Sequence, residues 1–263
     1  MSLSSLSAEA VKQRVFALMG ASNLARGDWA LERCLRSASP AGSTRFLRAL
    51  GPGRGFCAEG GLMNIRYRPI RDCGIVDAAT QLAEDKNNRV TALMTDIGND
   101  ILYGVSAEEI IESLQKMANR LRDTGADVWV SSIHVDMEND VGESRFNILK
   151  RIFFPGSSVT YASAKKAVQD INAALHEGES DRWSLISGLK AYCGADKIHY
   201  HLLKSAGAWT DVARKLLETE IASEKVSVKQ WQIQTALLDN LARIFFRDMM
   251  GGILRMRPRP DWY

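Results

Sequence analysis

The sequence predicts an α/β protein with a doubly wound, mostly parallel five-stranded sheet that carries helices on both faces, in three layers. Short apolar runs alternate with longer amphipathic segments about five times along the chain, and this alternation favours strand–helix crossovers. Three of the early apolar runs end in polar or Gly-rich loops, where ligands bind in open parallel sheets. With 263 residues, 46% of them hydrophobic and 25% charged, the composition is typical of a soluble globular protein with a sizeable core.

The individual elements follow from periodicity and turn residues. The apolar run at 15–19, which ends at Gly20, predicts the first buried strand, and the next helix is expected at 28–37. A second strand at 45–50 runs into the Gly-rich segment 51–55, which can only be a loop. One interpretation of 67–70 is a short strand. Further strands are predicted at 89–95, 127–135 and 184–186, and further helices at 76–85, 107–123, 141–153, 163–176 and 205–223.

The last forty residues break the alternation. They predict one long helix over 226–250, with Trp231, Leu238, Leu241 and Phe245 on one face, followed by a tail with Arg255, Arg257 and Arg259. We therefore divide the chain into an N-terminal extension (1–13), one large domain (14–223), and an added C-terminal helix with a basic tail (224–263). The added helix either packs onto the core, pairs with another subunit in a homo-oligomer, or covers the active site as a lid.

Charge and cysteine usage limit the partners and the compartment. A formal net charge of +3, from 34 basic and 31 acidic residues that are mostly dispersed, does not favour nucleic acid as a partner. No apolar stretch approaches ~18 residues, so no transmembrane helix is expected, and the N-terminus lacks the pattern of a signal peptide. The four cysteines are Cys34, Cys57, Cys73 and Cys193; they form no CxxC pair, which indicates reduced thiols and a cytoplasmic location.

Residues suited to catalysis follow the early strands. Ser22, in Gly20-Ala21-Ser22-Asn23, would expose its hydroxyl at a strand-to-helix turn, or would simply cap the helix. The segment lacks the G-x-G-x-x-G pattern, so it is a weak candidate for dinucleotide binding. Asn99, after the third predicted strand, can donate to an oxyanion or serve as a turn residue.

A third candidate group lies late in the chain. Nucleophilic serine needs a histidine base, and that histidine needs an orienting carboxylate. Asp196 and His199, three residues apart, can make the second of these contacts within one turn. Of the other histidines, His134 is expected at a strand end in the core or rim, and His176 suits the end of a helix.

The order of these pieces over residues 15–215 resembles the SGNH hydrolase superfamily, the GDSL esterases and lipases. Three departures from its motifs are that Ala21 replaces the Asp of Gly-Asp-Ser, that Ile97 replaces the Gly of Gly-x-Asn-Asp, and that Gly207 lies farther beyond His199 than the usual downstream glycine. The matching residues are Ser22 in the first block, Gly55 in the second, Asn99 and Asp100 in the third, and Asp196 and His199 in the last.

The resemblance implies a flavodoxin-like fold and hydrolysis of carboxylic esters through an acyl-enzyme. It implies that Ser22 is the nucleophile, His199 the general base, and Asp196 the residue that orients His199. The oxyanion hole would consist of the Ser22 N–H, the Gly55 N–H and the Asn99 amide. No metal or cofactor is implied. The expected substrate is a small-molecule ester with a small acyl or acetyl group, neutral rather than polyanionic.

Two other functions remain open at the level of sequence. Cys57 lies in a Gly-rich loop and could be the nucleophile, although no paired histidine follows in a recognisable pattern. Alternatively, the chain is a catalytically idle binding protein with the SGNH fold. Ala21 and the altered block around Asn99 favour this second alternative.

Overall fold

The computed structural model of the protein describes residues 13–39, 43–61, 65–217, 228–244, 246 and 263. Five strands form one sheet in the order β2-β1-β3-β4-β5, and all neighbouring strands are parallel. This arrangement confirms the predicted doubly wound parallel sheet. The strands are β1 (Gln13–Gly20), β2 (Thr44–Leu50), β3 (Asn88–Met94), β4 (Asp127–Ser131) and β5 (Ser184–Ile186).

Helices cover both faces of this sheet. One layer contains α1, α7 and α8, which pack on one another, and the opposite layer contains α2, α4, α5 and α6. The helices are α1 (Ser22–Ser37), α2 (Ile75–Glu84), α3 (Asn99–Leu102), α4 (Ala107–Asp123), α5 (Gly142–Phe153), α6 (Tyr161–Glu177), α7 (Ser205–Leu216) and α8 (Gln230–Arg243). Shorter turns are the 3₁₀ segments Ile70–Asp72 and Leu189–Tyr192 and the π-helical turn Met137–Val141.

The burial of strand β1 on both faces explains why its short apolar run predicted a strand. Val15, Ala17 and Met19 enter the core on the side of α2 and α4, whereas Phe16 and Leu18 enter the core on the side of α1 and α7. Successive side chains of a strand point to opposite faces, so a strand buried on both faces needs a continuous apolar run.

Helix α1 begins six residues earlier than predicted. Ala21 is its N-cap residue and provides no side-chain hydrogen bond to the first turn, so the local sequence carries no capping signal. Asp96, which follows β3, instead accepts hydrogen bonds from the N–H groups of Ala21 (3.2 Å) and Leu24 (3.0 Å). The cap is supplied by tertiary structure, which a local pattern cannot reveal.

Two strand predictions are corrected. Strand β4 ends at Ser131 rather than at 135, because the N–H and C=O of Ile133 are both bound by the side chain of Asn172, at 2.9 Å each, instead of a neighbouring strand. The segment 67–70 is not a strand: Tyr67 forms a single antiparallel bridge with Gly60, and a 3₁₀ turn then begins at Ile70.

Helix α8 lies against α1 and α7, but not through the predicted face. Its buried side chains are those of Ile233, Ala236, Leu237, Asn240 and Arg243. Of the face predicted from sequence, Trp231 is 62% exposed and Leu238 is 54% exposed, Leu241 is half-buried, and Phe245 lies outside the described residues.

The buried end of α8 is tied to the first helix by polar contacts. The Asn240 amide donates to the Ala25 carbonyl (2.5 Å), and the Arg243 guanidinium donates to the Asn240 side-chain oxygen (2.8 Å). None of the described residues of α8 lines the cavity described below, so this helix does not form a lid over it.

Several predicted segments lie outside the described residues. These are most of the extension at 1–13, the domain boundary at 223–224, and the basic tail with Arg255, Arg257 and Arg259. Within the part of the chain that is described, no helix is both long enough and apolar enough to cross a lipid bilayer.

Candidate active site

Ser22, His199 and Asp196 form one chain of hydrogen bonds at the carboxyl edge of the sheet. The Ser22 hydroxyl at the start of α1 lies 3.0 Å from Nε2 of His199, which is 177 residues away in sequence. Nδ1 of the same imidazole lies 2.7 Å from Oδ2 of Asp196. Such an arrangement allows the imidazole to take a proton from the hydroxyl while the carboxylate orients the ring. Ser22 therefore faces His199 rather than capping the helix.

Asp196 is bound by its own turn as well as by the imidazole. Its Oδ1 accepts the N–H groups of Ile198 (3.0 Å) and His199 (2.9 Å), in a turn where Lys197 has a φ of +62°. Burial by itself raises the pKa of Asp196, but the hydrogen bonds from the His199 ring and from the two backbone N–H groups outweigh burial and hold the pKa well below its ordinary value. The carboxylate thus stays ionised near neutral pH.

Asn23 links the serine turn to the histidine loop. Its side-chain oxygen accepts the Tyr200 N–H (2.9 Å), and its amide donates to the Ile198 carbonyl (3.1 Å). These two bonds hold the backbone on either side of His199, so the residue next to the candidate nucleophile also positions the candidate base. His134 adds a third bond, since its Nε2 lies 3.0 Å from the same Ile198 carbonyl.

Asp96 is a site residue that sequence reasoning missed. It adopts a φ of +59° after β3, its Oδ2 caps the first turn of α1, and its Oδ1 accepts the Asn23 amide (3.1 Å). A carboxylate at a helix N-terminus is stabilised by the unpaired N–H groups and by the helix dipole. The only sequence signal was an acidic residue directly after a buried strand, combined with a first helix that has no cap of its own.

The residues expected to donate to an oxyanion differ in whether they border the cavity beside Ser22. Asn99 borders the same cavity as Ser22, and its amide donates one hydrogen bond to the Arg54 carbonyl (3.1 Å). Gly55 is buried and does not border the cavity, whereas Gly53 of the same loop does. A Cβ at Gly55 would lie 2.5 Å from Oδ1 of Asp100, so the glycine permits close packing against that carboxylate.

Asp100 holds this loop from the inside. Its carboxylate accepts three consecutive backbone N–H groups, from Phe56 (2.6 Å), Cys57 (2.9 Å) and Ala58 (2.9 Å). Burial raises the pKa of Asp100, and these three donors oppose that rise. Asn99 and Asp100 therefore have different roles: Asn99 faces the cavity, and Asp100 fixes the loop behind it.

A cavity of about 200 Å³ lies next to Ser22 and His199. Its wall includes a few polar groups from the β3 and β4 loops, but most of the wall is hydrocarbon. The apolar lining comes from α3, the loop after β4, the π-helical turn, α5 and α6, and includes Ile101, Ile133, Met137, Phe146, Phe153 and Val168.

Cys57 does not fit the role of nucleophile. The residue is 5% exposed, its thiol points to the Glu109 carbonyl (3.9 Å), and it does not border the cavity. Burial raises its pKa to about 11, so the thiolate is scarce at neutral pH. Within the described segments, no three His, Cys, Asp or Glu side chains are grouped as a metal site would require.

No protein-family model and no curated protein sequence matches the chain. Among solved structures, TesA is similar over 79% of this chain and 99% of its own, at 20% identity and a TM-score of 0.42. A lipolytic G-D-S-L family protein from Veillonella parvula is similar over 78% of this chain and 97% of its own, at 15% identity and a TM-score of 0.44.

A protein from Slackia heliotrinireducens described as an SGNH hydrolase is similar over 76% of this chain and 97% of its own, at 13% identity and a TM-score of 0.44. Several of the solved structures to which this chain is similar are SGNH or GDSL hydrolases.

Proposed function

We propose that the protein is a serine hydrolase that cleaves carboxylic esters through an acyl-enzyme. The observation that carries this proposal is the continuous contact from Ser22 through His199 to Asp196, at 3.0 and 2.7 Å, on the wall of an apolar cavity. A satisfied core histidine does not require a serine hydroxyl on one ring nitrogen and an ionised carboxylate on the other. Together these contacts are what nucleophilic catalysis by serine needs.

In the proposed reaction, the Ser22 oxygen attacks the ester carbonyl while His199 takes the hydroxyl proton. His199 then delivers that proton to the leaving alcohol, and the acyl group remains on Ser22. In the second half, a water molecule gives a proton to His199 and attacks the acyl-enzyme, which releases the carboxylic acid and restores Ser22. Asp196 stabilises the imidazolium in both halves.

The negative charge on the tetrahedral intermediate needs hydrogen-bond donors on the cavity wall. We assign this role to the Ser22 N–H and to the Asn99 amide, which has a second N–H besides the one bound to Arg54. For the third donor, Gly53 replaces Gly55 in our proposal, because Gly53 borders the cavity and Gly55 does not. The Ser22 N–H lies in the first turn of α1, where backbone donors lack helical partners.

A fluorophosphonate probe tests the proposal directly, because it labels only an activated serine. We expect the wild type to be labelled and Ser22→Ala to be unlabelled. Ser132→Ala is the matched control, since Ser132 lines the same cavity and its loss should leave labelling intact. An unlabelled wild type, or labelling that persists in Ser22→Ala, would show that the assignment is wrong.

A catalytically idle binding protein is the second candidate. The observation that favours it is the Asp96 carboxylate, which borders the cavity and binds the N–H groups of Ala21 and Leu24 on either side of Ser22. A fixed negative charge there opposes the oxyanion that acyl transfer creates. The same labelling experiment separates the two functions, because an idle protein leaves the probe unreacted.

We further propose that 14–223 form the hydrolase unit, to which 224–263 are appended, and that the protein works in the cytoplasm. All four cysteines are free thiols, which supports a reducing compartment. Pairing of two copies through α8 would use the exposed Trp231 and Leu238, seven residues apart on one face. Light scattering of a Trp231→Ser, Leu238→Ser variant tests this pairing: a dimer should become a monomer.

A further inference from the structure

The lining and the volume of the cavity beside Ser22 indicate a feature of the substrate that the sequence did not reveal. Phe146, Leu149 and Phe153 project into it from one helix, α5, and Ala164 and Val168 project into it from another, α6. These two helices belong to the layer on the side of α2 and α4, so the cavity extends from the serine toward that layer.

The two charged side chains on the wall, Lys150 and Asp96, both have hydrogen-bond partners within the protein. The Lys150 ammonium donates to the Val159 carbonyl (2.7 Å) and lies 5.6 Å from the centre of the Phe146 ring. The Asp96 carboxylate is occupied by the first turn of α1. Both groups therefore have partners within the protein, and most of the wall is hydrocarbon, which favours an apolar group over a charged headgroup or a sugar ring.

The size of the cavity indicates how long an apolar group it accepts. A protein cavity of about 150 Å³ lined by Leu, Ile and Phe holds benzene, which has six carbons. In proportion, the cavity of about 200 Å³ has room for a chain of about eight carbons. An acetyl group would leave most of this space without contacts.

We propose, on the basis of the hydrolase function above, that the substrate is an ester with an apolar acyl chain of about six to eight carbons, and that the chain lies in this cavity. The acyl chain is the better occupant than the alcohol, because it stays attached to Ser22 until water arrives, whereas the alcohol leaves first. This assignment replaces the small acyl or acetyl group expected from the sequence.

The first experiment compares p-nitrophenyl esters whose acyl chains run from two to twelve carbons. Each added methylene that enters the cavity should raise kcat/KM about threefold. We therefore expect a rise on the order of 10²–10³-fold from acetyl to octanoyl, followed by a fall at longer chains that exceed the cavity.

Variants on α6 connect the chain-length preference to the cavity. Ala164 is buried on its wall, so Ala164→Leu should move the optimum to shorter chains. Ala162→Leu, on the exposed side of the same helix, should leave the whole profile unchanged. If Ala164→Leu does not fold, Val168→Phe provides the same readout at a neighbouring lining position.

Three outcomes would overturn the proposal while leaving ester hydrolysis intact. They are a maximum at acetate, an Ala164→Leu profile identical to wild type, and a chain-length response in acetate esters of longer alcohols instead of in the acyl series. Calorimetry of octanoate binding to Ser22→Ala reads the cavity separately from the chemistry. Binding that weakens at least tenfold in Ser22→Ala, Ala164→Leu supports the chain site even if the wild type hydrolyses nothing, and absence of binding overturns it.

Discussion

Replacement of Asn23 by alanine tests whether the serine turn positions the histidine base. Asn23 is 5% exposed and makes three hydrogen bonds, to the Tyr200 N–H (2.9 Å), the Ile198 carbonyl (3.1 Å) and the Asp96 carboxylate (3.1 Å). At about 1 kcal/mol net for each bond, Asn23→Ala should lower the free energy of unfolding by about 3 kcal/mol. Among the described residues, the His134 contact alone would then hold the Ile198 carbonyl.

The same substitution should slow catalysis by more than it weakens binding. A displacement of about 1 Å in a catalytic group costs on the order of 10²-fold in rate. We therefore expect kcat to fall about 10²-fold with little change in KM, because Asn23 acts through the backbone beside His199. Urea unfolding measures the stability change, and steady-state hydrolysis of p-nitrophenyl octanoate under strongly native conditions measures the kinetic change.

Asn172→Ala is the matched control for this variant. Asn172 also holds both polar groups of one backbone residue, Ile133, through bonds of 2.9 Å each, but it does not contact the histidine loop. It should cost about 2 kcal/mol in stability while kcat stays near that of wild type. If Asn23→Ala retains wild-type kcat, or if both variants lose kcat equally, the proposed coupling between the serine turn and the base is refuted.

Four further predictions concern the loop, the turn and the packing. Asn99→Ala should lower kcat by about 10²–10³-fold without a matching rise in KM, measured by ester hydrolysis. Asp100→Asn should cost about 1–3 kcal/mol in urea unfolding, because its amide leaves one of three N–H donors without an acceptor. Gly27→Ala should lower Tm, since its Cβ would lie 1.9 Å from the Trp209 ring. The folded state lowers the pKa of Asp196. The stability that this carboxylate contributes is therefore present above its unfolded pKa of about 3.9 and is lost at lower pH. Asp196→Asn should show a smaller decrease in the free energy of unfolding as the pH is lowered.

Local patterns predicted the parts of the site that are built from neighbouring residues. Asp196 and His199 share one turn, so a spacing of three residues was enough to suggest their contact. The candidate nucleophile could be predicted because a serine follows a strand that is buried on both faces. The sequence did not distinguish the glycines of the second loop from one another. In the structure, Gly53 borders the cavity, whereas Gly55 packs against Asp100.

The sequence by itself therefore determined the alternating fold and the identity of the candidate catalytic side chains, because hydrophobic periodicity and short-range hydrogen bonding are encoded within a few residues. Tertiary structure decided the cap that Asp96 provides for α1, the hold of Asn23 on the histidine loop, and the apolar cavity that α5 and α6 help to line. Each of these depends on residues that are tens to more than a hundred positions apart. They come into contact only when the helices pack against the sheet, and no local sequence pattern encodes that packing.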